Sequence, residues 1–283
     1  MEPVVYAKGC LGAAWEDIKT SPGWVGRTLI LGLIMCVPIL NFVVAGYYLN
    51  WAREVPFGGK TPLPASYVNG KNFEMGFYAF VVSLVVGLVF GFVGGILGLI
   101  PFLGALINLA LMLAALVATA LLQMRMIMAQ QLGAGFGIKD AWNMAKRNWG
   151  QLLLVTIVPN LVCGLIATII GFVAVMFVML LGLGGAAPSL VAVSQGGDLS
   201  AANSLMLVGT LLSVGLVGFI IAYVVSCVLM TVGEALTVRG MGHWVARYAP
   251  EWTALSYPVP PANPTYPGYP QQPQGPQNPG MPQ

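Results

Sequence analysis

Five apolar blocks govern what this chain can become. They run at about residues 24–51, 77–99, 103–122, 152–183 and 205–231. Roughly 20 apolar residues in helix cross the hydrocarbon core of a bilayer, and a soluble core helix needs fewer. Only 7% of the residues are charged, against about 25% in soluble domains. Such a chain cannot clothe a water-facing surface. The expected class is therefore all-α, a polytopic transmembrane helical bundle with the lipid bilayer as its first partner. A formal net charge of +3 leaves no footprint for nucleic acid.

The first block is interrupted at Val37-Pro38-Ile39-Leu40-Asn41. Pro38 lacks a backbone donor and breaks a helix, and Asn41 serves a turn. The basic residues bear on this break. Lys8, Lys19 and Arg27 precede or open the first block; Arg53, Lys60 and Lys71 follow it. Arg125, Lys139, Lys146 and Arg147 lie between the third and fourth, and Arg239 and Arg247 follow the last. The turn near Pro101 and the stretch 184–204 carry none. The positive-inside rule puts the basic segments in the cytoplasm and the two bare connections outside. Block one is basic on both flanks, so it is expected to enter and return. Two short helices, 22–37 and 39–54, each about 24 Å long, would form a tight pair of spans or a re-entrant hairpin, in preference to one kinked span. The total is about six membrane helices with both termini cytoplasmic. Glu2, Lys8, Glu16, Asp17 and Lys19 leave no apolar run for a cleavable signal peptide.

Two segments have amphipathic spacing. In 138–149, Ile138, Ala141, Trp142, Ala145 and Trp149 share one helical face, with Lys139, Asp140, Asn143, Lys146 and Arg147 on the other. In 4–19, Val4, Ala7, Leu11, Ala14, Trp15 and Ile18 do the same. Such helices lie at the membrane surface, tryptophan at headgroup level and basic residues toward anionic lipid. The spacing also hints at an internal repeat. Ala14-Trp15 with Lys19 matches Ala141-Trp142 with Lys146, each followed by a Trp, an apolar run and a Val-Pro pair, Val37-Pro38 and Val158-Pro159. The organisation is thus an interfacial helix at 1–21, a transmembrane domain at 22–249 and a tail at 250–283.

In lipid, helices associate by close approach of small residues. Ala79, Ser83, Gly87, Gly91 and Gly95 recur every fourth residue; Ala110, Ala114 and Ala118, and Gly218, Ala222 and Ser226, make similar stripes. These could line a homo-oligomer face, but packing within the chain is the more economical reading.

Most catalytic readings fail on residue supply. His243 stands alone, beside Trp244 and Arg247, and reads as interfacial; a His-based zinc site has no second histidine. Gly58-Gly59-Lys60-Thr61 ends like a phosphate-binding loop, but Glu54 holds the place of the first glycine, and Pro62 and Pro64 forbid the following helix. Gly133, Gly135 and Gly137 read as a flexible joint. Ser213 has Leu211 where a nucleophile elbow needs glycine. Cys10, Cys36, Cys163 and Cys227 form no C-x-x-C pair and read as packing residues. No cofactor is expected. Ion-coupled transport needs ionisable groups within the membrane, and the deep positions offer chiefly Asn41, Asn108 and Asn160, while Glu74, Arg125 and Glu234 fall at block ends. Pro38 with Asn41 and Pro159 with Asn160 are candidate polar hinges.

From Pro258 to Pro282 a proline recurs at every third residue, interleaved with Tyr257, Tyr266, Tyr269, glutamines and glycines. Polyproline II has three residues per turn, so these prolines align on one edge. The segment cannot bury a core and is expected to be disordered, a strip for an aromatic groove of a cytoplasmic partner at 257–283 or a solvated spacer.

Three stretches carry a resemblance: Val37-Pro38-Ile39-Leu40-Asn41 running into Gly46-Tyr47-Tyr48-Leu49 and Ala52-Arg53; Leu63-Pro64 with Asn69-Gly70-Lys71; and Leu132-Gly133-Ala134-Gly135-Phe136. Over roughly residues 20–235 the chain resembles the prokaryotic membrane family catalogued as domain of unknown function 4013. That resemblance implies a bacterial or archaeal cytoplasmic membrane and carries no catalytic residues with it. The leading expectation is a non-enzymatic membrane scaffold or adaptor recruiting partners through the tail. The alternative is a small-solute transporter or lipid-handling component, and an intramembrane enzyme ranks last. Convergence of Asn41, Asn108 and Asn160 on a cavity would favour transport; a sealed, glycine-packed bundle would favour the scaffold.

Overall fold

The apolar blocks become helices in a computed structural model, which describes residues 9–59, 61–100, 103–194 and 201–255, with side chains described except at 181–207, 210–212 and 214. Among the described residues there is no strand. The order is α1 (Cys10–Lys19), α2 (Trp24–Met35), α3 (Asn41–Arg53), α4 (Gly70–Leu97), α5 (Leu103–Ala129), α6 (Ile138–Ala145), α7 (Trp149–Ser194) and α8 (Ala201–Tyr248). Short 3-10 turns occupy Val55–Phe57, Leu132–Phe136 and Pro250–Leu255. Residues 1–8 and the proline-rich strip 257–283 lie outside the described residues.

Four helices are long and apolar enough to cross a membrane: Gly70–Leu97, Leu103–Ala129, Trp149–Leu180 and Gly215–Tyr248. No more than 17% of the most apolar window in any of them is buried in protein. Leu88, Phe92, Leu106, Leu165, Phe172 and Phe219 are among the large side chains they expose. A helix apolar all round and uncovered by protein belongs in lipid. The chain is a polytopic membrane protein.

Block one breaks where Pro38 predicts. The chain turns at Val37–Leu40, with the Leu40 and Asn41 amides both donating to the Val37 carbonyl. The two halves then pack chiefly on different neighbours. Helix α2 lies along α8, while α3 runs through the interior against α4 and α8. Nine of the thirteen residues of α3 are buried, so it is a core helix rather than a lipid-facing span.

Glycine explains how α3 gets so close to α4. A Cβ on Gly46 would sit 1.8 Å from the Asn72 carbonyl oxygen, and one on Gly76 would sit 1.6 Å from the Phe42 carbonyl oxygen. The two backbones are in contact there, as small residues allow. Around the crossing, Tyr47 Oη donates to the Pro64 carbonyl at 2.8 Å, and the Asn69 side chain caps α4 by accepting from the Asn72 amide at 2.7 Å. Gly32 meets Val228, which brings α2 onto α8, and Gly218 meets Val178, which brings α7 onto α8.

Several expectations shift. The stripe on α4 packs within the chain only at Ala79 and Ser83; Gly87, Gly91 and Gly95 face open space. The α4–α5 contact uses Gly94 and Gly98 instead, whose missing side chains leave room for Asn108. The amphipathic segment 138–149 is not one helix. It ends after Ala145, and Asn148 caps α7 by accepting from the Gln151 amide at 2.9 Å. The Gly133–Gly137 joint is tightly packed at Gly135 and Gly137, where a Cβ would collide with Val82 and with the Arg125 guanidinium, and open at Gly133. Residues 250–255 belong to the core through buried Trp252, so the tail begins later than residue 250. Pro159 does not break α7. Beside it, Thr156 Oγ1 donates to the Leu152 carbonyl and Asn160 Nδ2 to the Thr156 carbonyl, both at 2.8 Å, while the carbonyl that Pro159 leaves without its helical donor is that of Val155.

The repeat has a structural counterpart. Helices α1 and α6 bury Ala14, and Ala141 with Ala145, and expose Trp15 and Trp142. Trp15 stacks edge-on against Trp24, the first residue of α2, at 5.7 Å. Trp142 does the same against Trp149, the first residue of α7, at 5.3 Å. Each copy is a short surface helix clipped by a tryptophan pair to the apolar helix that follows.

Candidate functional site

Two polar assemblies stand out. The first joins α1, α3 and α8. Arg239 is 0% exposed in its side chain and donates through Nε to Asp17 Oδ2 at 2.6 Å. It also donates through Nη1 to the Trp51 carbonyl at 2.7 Å and lies 4.3 Å above the Trp51 ring. His243, one turn on along α8, brings Nε2 to 3.0 Å from the same Asp17 oxygen. Burial works to raise the Asp17 carboxyl, but the His243 hydrogen bond and the Arg239 and His243 charges outweigh it and hold the carboxyl below its usual range. The carboxylate fastens α1 to α8. His243 is thus a buried partner of Asp17, not a residue at the membrane surface. The nucleotide-like segment Gly58-Gly59 belongs to the same fastening: Gly58 takes a left-handed φ of 81° to close a turn, and Trp51 Nε1 donates to the Thr61 carbonyl at 2.9 Å.

The second assembly is a cleft of about 210 Å³ between α5, α7 and α8. Its polar lining is Thr119 and Gln123 from α5, Asn160 from α7, and Glu234 and Thr237 from α8. A narrower pocket of about 30 Å³ adjoins it, shares Gln123 and Thr237, and reaches Leu49 of α3 and Met241. The amide of Gln123 donates to the Ala79 carbonyl at 3.2 Å and to Ser83 Oγ at 2.9 Å. The amide of Asn160 donates to the Thr156 carbonyl at 2.8 Å and to Thr237 Oγ1 at 3.0 Å. Glu234 makes no hydrogen bond or ion pair among the described residues. Tyr48 Oη, fully buried on α3 and without a hydrogen-bond partner, lies within electrostatic reach of it.

Depth gives the cleft its meaning. Asn160 is eleven residues along α7 from Trp149, about 16 Å at 1.5 Å per residue. Trp149 and Trp142 are exposed, and Lys146 Nζ lies 5.5 Å above the Trp142 ring. Tryptophan and lysine together are the residue types enriched at headgroup level, and Arg147 extends the cluster by pairing with Glu251 at 2.7 Å. About 16 Å is half of a roughly 30 Å hydrocarbon core, the depth at which Asn160 would stand if Trp149 lay at headgroup level.

The three asparagines do not converge. Asn160 lines the cleft, Asn108 wedges between Gly94 and Gly98 near the far end of α4, and Asn41 opens α3 with its Oδ1 buried and unbonded. Pro38 is exposed in its turn and Pro159 is buried in α7. Sequence reasoning missed Glu234 as a lining residue by ending the last apolar block at Thr231, whereas α8 continues to Tyr248. An acidic residue three positions past an apolar run was the available signal.

Residues 30–176, just over half of the chain, match the family described as protein of unknown function (DUF4013). The chain belongs to the DUF4013 family. No curated protein and no solved structure matches it. The DUF4013 match spans α2 to the first part of α7 and so includes Thr119, Gln123 and Asn160, while Glu234 and Thr237 lie beyond it on α8. The stretches that carried the resemblance now have physical roles: Gly46 at the α3–α4 crossing, Pro64 bonded to Tyr47, Asn69 as a cap, and Gly135 and Gly137 against Val82 and Arg125.

Proposed function

We propose that this DUF4013 protein is a non-enzymatic component of a prokaryotic cytoplasmic membrane that handles a small polar solute or a lipid headgroup in the α5–α7–α8 cleft. Both termini are cytoplasmic in this reading. The supporting observation is Glu234 beside Gln123, Asn160 and Thr237 at a depth where polar groups are costly. A bundle kept only as a scaffold has no use for an unpaired carboxylate there.

The test uses the purified full chain in lipid nanodiscs, with thermal midpoint as readout. Panels of small amines, organic acids, sugars and headgroup-bearing lipids are compared between wild type and the Glu234→Leu/Asn160→Leu double variant. At least one class should raise the wild-type midpoint and leave the variant unmoved. Equal responses across all classes would remove the reading.

A second reading concerns the tail. The three-residue proline register of 258–282 favours a groove-binding strip that recruits a cytoplasmic protein. Native-membrane pull-downs of the full chain and of a chain stopped after Ser256 should then differ by specific partners; identical partner sets would make the tail a spacer.

A further inference from the structure

We infer that the cleft is built for a positively charged group carrying N–H donors, an ammonium, and this rests on the reading of the cleft as a binding site. The argument is a count of donors and acceptors. A backbone carbonyl can only accept a hydrogen bond. The bonds from Gln123 to the Ala79 carbonyl and from Asn160 to the Thr156 carbonyl therefore fix which end of each amide is the nitrogen. The second N–H of each is taken as well, by Ser83 Oγ and Thr237 Oγ1. What these two amides have left for a ligand is oxygen.

Glu234 adds a carboxylate to the same lining. No cationic side chain lines the cleft among the described residues. The nearest arginine along α8, Arg239, is committed to Asp17 and the Trp51 carbonyl. The lining therefore presents two amide oxygens and a carboxyl, with hydroxyls of Thr119 and Thr237 beside them. An anion would meet repulsion and few donors. An ammonium would bring both the charge that Glu234 lacks and the N–H groups that the oxygens lack. The volume of about 210 Å³ far exceeds the ~15 Å³ that one water needs, so an organic amine fits. Two sources share this chemistry, a free primary amine and the ethanolamine headgroup of a lipid.

The test uses the full chain in phosphatidylglycerol nanodiscs and a hydrophobic carbodiimide, which attacks carboxyls in apolar surroundings; Glu234 modification is read by peptide mass spectrometry as loss of the unmodified peptide, so that an amide formed when an amine intercepts the activated carboxyl counts as modification and not as protection. Ethylammonium in the buffer, or phosphatidylethanolamine in the disc, should cut modification by about tenfold at ten times the dissociation constant. Protection by ethylammonium alone assigns the site to a soluble amine; protection by phosphatidylethanolamine alone assigns it to a headgroup. Gln123→Leu and Asn160→Leu keep Glu234 and should lose the protection. Glu234→Gln, which keeps the shape, should lose the shift in thermal midpoint that ethylammonium produces. Equal protection by glycolate or by sodium ions would overturn the ammonium inference and leave the cleft a binding site. No protection by any agent, with no ligand response in the midpoint panel above, would overturn both.

Discussion

At the scale of single residues, the molecule turns on charges that local sequence does not explain. Asp17 and Arg239 are 222 positions apart, and in sequence each reads as an ordinary flanking charge. Their meeting is legible only once α1 is docked on α8. Glu234 was hidden for a related reason: hydropathy ends a span where charge begins, but α8 keeps Arg239 and His243 inside protein, so the helix runs on. Asp17→Asn leaves the Arg239 guanidinium buried without its counter-charge and should cost about 3 kcal/mol, seen as a lower thermal midpoint in detergent. The pH dependence follows from the lowered Asp17 carboxyl. A depressed carboxyl stabilises the fold fully above its unfolded value, about 3.9, and the contribution is lost as pH falls through the folded value. The wild-type midpoint should therefore drop more steeply below about pH 4 than that of Asp17→Asn. Parallel curves would place the stabilisation elsewhere.

At the scale of elements, apolar length and proline position were legible, and neighbours were not. Pro38 and Pro159 follow the same Val-Pro pattern, yet one ends a helix and the other lies within one. Around Pro159 the Thr156 and Asn160 side chains bond backbone carbonyls within α7, whereas after Pro38 the Leu40 and Asn41 amides turn back onto the Val37 carbonyl. Glycines behave likewise. The regular stripe Gly87, Gly91 and Gly95 attracts notice but touches nothing, while Gly46 and Gly76, part of no stripe, hold the tightest crossing. The two kinds predict opposite outcomes. Gly46→Ala must drive α3 and α4 apart and should cost roughly 4 kcal/mol or more, the range of severe core lesions. Gly87→Ala should be neutral or stabilising by up to about 1 kcal/mol, the helix-propensity gain. Thermal midpoints and yield of monodisperse protein from size-exclusion chromatography read both. A folded, stable Gly46→Ala would mean that the crossing is looser than described.

At the scale of the whole molecule, the membrane class was legible because nothing but lipid can cover so much apolar helix. The count of about six was less so, since α3 is spent on the interior and four helices carry the length. Sidedness is open to a direct test. In a background without Cys10, Cys36, Cys163 and Cys227, Asp198→Cys should react with an impermeant thiol reagent from outside intact cells and Lys60→Cys should not. Labelling of both would defeat the arrangement with both termini inside.

The paired tryptophans at the starts of α2 and α7 have a mechanical consequence. Trp15 with Trp24 and Trp142 with Trp149 clip two surface helices to the feet of two membrane helices. Set at headgroup level, two such footings would define a line in the plane of one leaflet and hold the protein at a fixed height. The opposite end, formed by the C-termini of α4 and α7 and the N-termini of α5 and α8, carries no tryptophan. When bilayer thickness changes, the hydrophobic mismatch must then be absorbed at that unanchored end, by tilt of the two helical pairs or by deformation of the lipid around their tips.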